Sequence, residues 1–380
     1  MNNTIPPKVV DLFCGIGGAS LGFKQAGYDI ILGLDINQIA SKIFKKNIEA
    51  EVIIKNIKQY TAQECLKDSH LSKGELDVLI CCPPCQGFSR IRKNGNNDPR
   101  NDLVITTANF VVEMKPKIII FENVPGILNE NNITKFKKFI NVLEENKYLF
   151  QDDYKKTIVN AANYGIPQTR KRLILIATHN SIKKEIISFP PKTHSHKGNH
   201  LQQNLEKWKT VEDAIGDLEQ LESGVHSKTD QYHKAPNHQD NVLKIIQNIK
   251  HNGGSRSELP KELVLKCHKN FEGHQDVYGR MDKNKPAPTL TAGWHTPSKG
   301  RYIHPEQDRG LTVREACRLQ TFPDNYDFNG AYKQQITQFI GNAVPVEWMR
   351  IIAKHIAKEM NWTVRLESNN DTSFWNSLST

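Results

Sequence analysis

Long hydrophobic runs are missing from this sequence of 380 residues, and no stretch is apolar and long enough to cross a membrane. The opening "MNNTIPPKVVDLF" has neither a charged n-region nor an apolar h-region, and its first hydrophobic run has only the length of a strand. These absences predict a soluble intracellular protein with no membrane partner. Cysteine is sparse and irregular: seven residues, an odd number without regular spacing, do not make a disulfide framework in a chain this long. Each is expected as a thiol, buried or working. No internal repeat is visible, so the chain must build its own core, and its length suits one large domain or a large and a small one.

Acidic residues are outnumbered. Lys plus Arg exceed Asp plus Glu by 51 to 41, a net charge of +10, which suits a polyanionic partner. Charge alone is equally compatible with a basic protein that binds no nucleic acid.

The N-terminal half alternates in pattern. "KVVDLF" is a short apolar run ending at glycines, "GASLGFKQAG" has helical spacing stopped by Gly27, "DIILGLD" is a second apolar run, and "NQIASKIFKKN" is again helix-like. The pattern continues through "EVIIKNI", "LDVLICC", "LVITTANFVVEMK", "KIIIFENV", "ITKFKKFINVLEEN" and "RLILIAT". Ile, Val and Leu runs apolar on both faces predict buried parallel strands covered by helices, a doubly wound α/β domain with a mostly parallel sheet. From about residue 181 the alternation fails, and 11 of the 14 histidines lie between 181 and 310, so a second, smaller irregular domain is expected there. "TVREACRLQTF" and "VPVEWMRIIAKHIAKEM" are helix-like again, and the tail after residue 365 is expected to be poorly ordered.

In "VVDLFCGIGGASLGF", Gly15, Gly17 and Gly18 stand where a strand turns into a helix, so backbone can approach a ligand closely. Asp35 follows at the end of the second strand, from which a carboxylate can accept ribose hydroxyl hydrogen bonds. The spacing G-x-G-G is not the dinucleotide G-x-G-x-x-G, and there is no P-loop lysine, which weakens NAD and ATP. S-adenosylmethionine needs a ribose partner, a slot for adenine and helix N-terminal amides for its carboxylate, all compatible with this turn. A glycine turn without a ligand is the alternative.

"CCPPCQGFS" places three cysteines in five positions. Pro83 and Pro84 end the strand "LDVLICC", because neither supplies a ladder N–H. Cys85 then sits just past a strand end, where open α/β sheets build active sites, while Cys81 and Cys82 read as small buried hydrophobes. A redox pair needs a helix beginning at Cys82, which the prolines fit poorly. A zinc site needs further paired ligands, but Cys14, Cys65, Cys267 and Cys317 are isolated and His194-x-His196 has no second pair, so no metal is expected and these histidines are read as surface or DNA-facing.

The blocks "DLFCGIGGAS", "PPCQGFS", "FENVPGIL", "NAANYGIPQTRKRLILIA", "LTVREACRLQTFPDNY" and "QFIGNAVP" occur in this order, and together they resemble the signature blocks of the DNA (cytosine-5)-methyltransferases of bacterial type. The resemblance implies a Rossmann-like methyltransferase that moves a methyl group from S-adenosylmethionine to C5 of a flipped-out cytosine in duplex DNA. Cytosine C5 is a weak nucleophile until a thiolate attacks C6, which assigns Cys85 as nucleophile. A donor is then needed at N3, and a carboxyl can serve if burial raises its pKa, which fits Glu122 after the strand "KIIIF". The resemblance implies Arg172 near cytosine O2, with Arg170 and Gln168 organising the site and Asn123 beside Glu122. For the cofactor it implies Phe13 against adenine, the backbone from Gly15 through Ile16, Gly17 and Gly18 at the methionine end, and Asp35 on the ribose. Cys14, Ile36, Asn56, Ile57, Pro83 and Leu103 join the pocket, and Asn342 and Val344 complete its wall. Asp35 stands where the family usually has Glu, and Asn56 where it usually has an Asp for the adenine amino group; both can still accept the bonds.

A cytosine inside a duplex must be flipped out at a cost of about a few kcal/mol. The segment "SRIRKNGNNDPRND" suits a lid closing on DNA, with Gln86, Ser89, Arg90, Arg92, Lys93 and Arg100 as contacts. By the family's arrangement sequence choice resides in the irregular domain, where "PTLTAGWHTPSKGRY" offers Thr289, Thr291, Lys299 and Arg301. The expected division is residues 1–180 plus 332–365 as catalytic domain, 181–331 as recognition domain and hinge, and 366–380 as tail. A monomer on DNA in the bacterial cytoplasm, with a cognate restriction endonuclease as partner, follows from the resemblance alone. A tRNA cytosine-5 methyltransferase of the same fold, or a catalytically silent DNA-binding module, are the alternatives.

Overall fold

The computed structural model describes residues 5–84, 102–130, 132–198, 204–268, 273, 275–328, 330–365 and 374. The chain divides into two compact units: Met1–Asn160, Lys171–Pro191 and Val346–Thr380 form the first, and Ala161–Arg170 with Lys192–Pro345 the second. Residues 161–170 and 332–345, read from sequence as catalytic-domain segments, thus group with the second unit.

The first unit alternates β1 (Lys8–Leu12), α1 (Gly18–Gln25), β2 (Asp29–Asp35), α2 (Gln38–Ile48), β3 (Glu51–Ile54), α3 (Ala62–Asp68), β4 (Val78–Cys81), α4 (Leu103–Met114), β5 (Ile118–Asn123), α5 (Ile133–Glu145), β6 (Tyr148–Leu149) and β7 (Ile158–Asn160). After β8 (Gln168–Thr169), in the second unit, β9 (Lys171–His179) returns to the first. The apolar run "LVITTANFVVEM" is therefore α4, a helix. Local chemistry fixes the helix starts: the Asn37 Oδ1 accepts the N–H groups of Ile39 and Ala40 at 3.0 Å each, and Thr61 with Glu64 makes a capping box on α3.

The strands form one eight-stranded sheet in the order β3-β2-β1-β4-β5-β9-β6, with β7 beside β9. Pairings from β3 to β5 are parallel, and β9 runs antiparallel to β5, β6 and β7, so the sheet is mostly parallel with an antiparallel edge. All six residues of β5 are buried, as expected for a strand covered on both faces. The core includes Leu12, Leu79, Val111, Phe121, Phe139 and Leu175. Strand order reverses between β1 and β4, and ligands of open α/β sheets bind in the crevice at the carboxyl ends of such a pair.

Late in the chain α10 (Val346–Met360) rejoins this unit against α1. A Cβ on Gly22 would lie 2.5 Å from the Val346 carbonyl, so the two helices meet at backbone distance. Tyr28 closes the contact by donating to the Ala353 carbonyl at 2.9 Å.

The second unit has little regular structure. It carries α6 (Val211–Ile215), α7 (Asp240–Gln247), α8 (Val313–Leu319) and α9 (Lys333–Asn342), and the short ladders of β10 (His194–Ser195) with β11 (Glu206–Lys207) and of β12 (Ala287–Pro288) with β8. Backbone carbonyls without ladder partners need other donors, and buried arginines supply them. Arg280, fully buried, donates to the carbonyls of Ile246, Ile249, His304 and Gln307 and pairs with Asp308. Arg309 pairs with Glu315, which in turn caps α8 through Thr312. His194 is buried beneath Gly165, so the expectation of a surface or DNA-facing residue does not hold for it.

Candidate active site

The site forms where β1, β4 and β5 end side by side. Leu12 pairs with Cys81, and Cys81 with Phe121, so the Phe13–Gly17 turn, the Cys82-Pro83-Pro84 segment and Glu122 leave adjacent strands at one level. Phe13 and Gly15 take left-handed backbone, with φ of 67° and 54°, and Gly17 follows at 89° as the N-cap of α1. No side chain caps α1, so its first N–H groups face the turn without a local partner of that kind.

Asp35 ties the turn to β2. Its Oδ2 accepts the Gly15 N–H at 2.9 Å and its Oδ1 the Asn37 N–H at 2.8 Å. Burial holds its carboxyl above the ordinary aspartate range, although those N–H bonds pull the other way. Beside it Ile36 is 66% exposed, a large apolar surface at a strand end. A Cβ on Gly15 would meet nothing within 4 Å, so open space lies over the turn. An exposed isoleucine, a strand-end carboxylate, uncapped helix amides and open space over glycine suit the adenine, ribose and methionine parts of S-adenosylmethionine. Asn56 starts the turn after β3, its Oδ1 accepting the Lys58 N–H at 3.1 Å with one lone pair left over. Ile57 and Ile16 are buried, and Leu103, the first residue of α4, packs partly against the core.

Cys81 ends β4 in the core and Cys82 lies one residue past the strand, not on it. Burial pushes the thiols of Cys14, Cys81 and Cys82 well above the ordinary range, which keeps them protonated and inert. Asn123, fully buried, donates from Nδ2 to the Pro83 carbonyl at 3.3 Å, so it acts on the mount that precedes Cys85. Cys85, Gln86, Ser89, Arg90, Arg92, Lys93 and Arg100 lie outside the described residues, as does the tail 366–380 apart from Phe374.

Glu122 on β5 meets Arg172 on β9. The Arg172 Nε stands 2.9 Å from the Glu122 Oε1, and the side chains are only 13% and 11% exposed. The other two members of Gln168-x-Arg170-x-Arg172 belong to the second unit. Arg170 is fully buried; it donates to the carbonyls of Leu290, Gly341 and Ala343 at 2.9, 3.1 and 3.0 Å and to the Gln168 Oε1 at 3.4 Å. Gln168 accepts the Leu290 N–H and donates to the Leu319 carbonyl and to Gln320. Both therefore brace the interior of their own unit, and the bonds to Gly341 and Ala343 fix the backbone on either side of exposed Asn342. Val344 is buried.

Thr291 and Lys299 are exposed in the second unit. Thr289 donates to the Thr169 carbonyl at 2.7 Å, and the Arg301 Nη1 to the carbonyls of Gly253, Gly254 and Arg280, so these two have structural work.

Two residues escaped the sequence reading. Gln320, in "RLQTF", donates to the Ile340 and Ala343 carbonyls and joins the Arg170 brace. Asp11, a carboxylate inside the apolar run "VVDLF", is buried next to the glycine turn. A charge at a central position of a strand buried on both faces was the available signal.

A doubly wound α/β unit with a glycine turn beside the switch point, and a nearly buried carboxylate–guanidinium pair across β5 and β9, has the form of a Rossmann-like enzyme. Residues 7–358 match the family model described as C-5 cytosine-specific DNA methylase. The Type II methylase M.HgiDII of Herpetosiphon aurantiacus is 35% identical over 355 residues, covering 92% of this chain and 95% of that protein. The Type II methyltransferase M1.HphI of Haemophilus parahaemolyticus is 31% identical over 92% of this chain and 86% of that protein. The solved structure of a prophage-encoded E. coli protein superposes with a TM-score of 0.66 at 26% identity, covering 93% of this chain and 99% of that one. The chain belongs to the C-5 cytosine-specific DNA methylase family and is a DNA (cytosine-5-)-methyltransferase.

Proposed function

We propose that the protein transfers a methyl group from S-adenosylmethionine to C5 of a cytosine flipped out of a specific duplex DNA sequence, through a covalent bond between Cys85 and C6. The Glu122–Arg172 pair carries this reading. Cytosine N3 and O2 are neighbouring acceptors on one ring edge, and a carboxyl and a guanidinium held 2.9 Å apart offer donors at a spacing that suits both.

The Cys85 thiolate adds to C6, and the electron pair of the C5–C6 double bond becomes available at C5 as N3 takes a proton from Glu122. Arg172 holds O2 and stabilises the charge that grows on the ring. S-adenosylmethionine supplies the methyl group as an electrophile on a sulfonium. Loss of the C5 proton to solvent then expels the thiolate, and N3 returns its proton to the Glu122 carboxylate, which restores the neutral aromatic ring and the starting state of the site. Asn123 keeps Pro83 in place, so the thiol is presented from a fixed strand end.

In this reading the first unit is catalytic and binds the cofactor, and the second, with Thr291 and Lys299 exposed, selects the target sequence. Gln86, Ser89, Arg90, Arg92, Lys93 and Arg100 contact DNA, and Asn342 and Val344 keep the cofactor role that the resemblance implies. The relatives' names as Type II enzymes support a role in protecting bacterial DNA against a partner endonuclease. A monomer acting on DNA in the cytoplasm completes the proposal. Offering labelled S-adenosylmethionine with duplex DNA and with tRNA tests the assignment. Label in DNA C5 is expected, and label in tRNA alone contradicts it.

A further inference from the structure

Two carboxylates stand near the glycine turn: Asp35 is bonded to it, Asp11 lies two residues before Phe13 on β1, and each influences the other electrostatically. Asp11 sits on β1 between Gly33 of β2 and Ile80 of β4, and is 1% exposed. Its Oδ2 accepts the Ser20 hydroxyl at 2.5 Å, and its Oδ1 has no hydrogen-bond partner among the described residues. The groups around it are Ser20 on α1, Asp35 at the end of β2, Cys14 in the turn, and Cys81 and Cys82 at the end of β4, with Glu122 beyond Cys82. None of these carries a positive charge, and the Arg172 guanidinium beyond them is already paired with Glu122. Among the described residues no lysine, arginine or histidine pairs with Asp11 or Asp35, in a chain whose net charge is +10. Burial, with a smaller push from Asp35 and against the Ser20 hydrogen bond, lifts the Asp11 carboxyl to about 7. An orphaned oxygen on a buried carboxyl is costly, and a ligand that brings positive charge relieves it.

We propose that Asp11 is a positioning residue that gives up its proton when the cationic methyl donor binds, and thereby makes the pocket prefer the donor over the product. The inference rests on the reading that this pocket takes S-adenosylmethionine. The donor brings a sulfonium and an ammonium; methyl transfer leaves a neutral thioether, so the product brings one positive charge fewer. Binding of the donor drives Asp11 to its carboxylate and sends the proton to solvent, whereas the product leaves more of the carboxyl protonated. Completed transfer thus weakens the electrostatic hold on the spent cofactor.

Calorimetric titration of the full-length protein with S-adenosylmethionine and with S-adenosylhomocysteine, in buffers of different ionisation enthalpy, measures affinity and proton release together. With a free carboxyl at about 7, the wild type should release about half a proton to the donor at neutral pH. Its donor affinity should rise about tenfold from about pH 6 to about pH 8, beyond any change in Asp11→Asn, which removes the titration and keeps the shape. The donor-to-product preference should rise with pH in the wild type and stay flat in Asp11→Asn. Ser20→Ala removes the hydroxyl that donates to the carboxylate and should move the wild-type midpoint to higher pH. Equal pH profiles in wild type and Asp11→Asn, or an unmoved midpoint in Ser20→Ala, would overturn the proposal while leaving the cofactor assignment intact. Absence of donor binding by the wild type at every pH overturns both.

Discussion

The Arg172 Nε lies 2.9 Å from the Glu122 Oε1, across the antiparallel junction of β5 and β9. The pair is nearly buried, so removing either group strands the other away from water. Breaking a buried pair from one side costs about 3–5 kcal/mol, more than replacing both partners by apolar groups of similar size.

Glu122→Gln keeps the side-chain shape but removes the proton donor. A fall in kcat of about 10²- to 10⁴-fold is expected, with KM for DNA changed far less. Steady-state kinetics on a methylatable duplex checks this; equal losses in Glu122→Gln and in a distant surface variant would deny Glu122 its role. Arg172→Lys should recover little, because an ammonium does not reproduce the planar fork.

Gly15→Ala separates folding from cofactor binding. The added Cβ would meet no atom within 4 Å, so the cost to stability is limited to the left-handed backbone, about 1 kcal/mol. The methyl would enter the space proposed for the cofactor, and the Kd for S-adenosylmethionine should rise at least tenfold. Gly17→Ala should instead unfold more readily, since its Cβ would stand 2.9 Å from the Ile48 side chain at a φ of 89°. Thermal melts paired with calorimetry distinguish the two.

Arg170→Ala would strand the Leu290, Gly341 and Ala343 carbonyls in the interior of the second unit. A loss of about 3 kcal/mol or more is expected in chemical denaturation. A variant as stable as the wild type would show that the guanidinium does not brace those carbonyls.

Asp11 sets a pH dependence of stability whose sign is opposite to that of a salt-bridged carboxylate. Its folded pKa of about 7 lies above the ordinary 3.8, so the unfolded chain ionises first and stability falls as pH rises between those values. The full penalty, of the order of a few kcal/mol, is present above pH 7 and absent below about pH 4. Asp11→Asn should therefore gain on the wild type from pH 5 to pH 8 in urea unfolding; a constant difference would contradict the buried, raised carboxyl.

Most of the first unit was legible because parallel strands buried on both faces advertise themselves as Ile, Val and Leu runs, and the glycine turn announces the end of β1. The run "LVITTANFVVEM" carries the same apolar signal, and its place in the alternation between β4 and β5 rather than its composition marks it as the helix α4, since a buried helix and a buried strand differ little in composition. Glu122 and Arg172 were each found in their blocks, but their contact depends on the antiparallel return of β9, a tertiary fact with no local signature. The same holds for Arg170, whose carbonyl partners lie 120 to 173 positions away in the chain. "QTRKR" looked like one basic cluster; in the fold Arg170 is interior to the second unit while Arg172 belongs to the first. Asp11 was passed over because a single acidic residue in an apolar strand looks like an interruption rather than a site.

The central claim is covalent catalysis from Cys85, and duplex DNA carrying 5-fluorocytosine at the methylated position tests it most directly. Bisulfite sequencing of DNA from cells expressing the protein locates that position. Fluorine at C5 blocks the final elimination, so with S-adenosylmethionine the wild type should form a denaturation-resistant adduct one to one with DNA, and Cys85→Ser should form none. A wild type that methylates ordinary DNA yet traps no fluorinated duplex, or an adduct that persists in Cys85→Ser, would contradict the account.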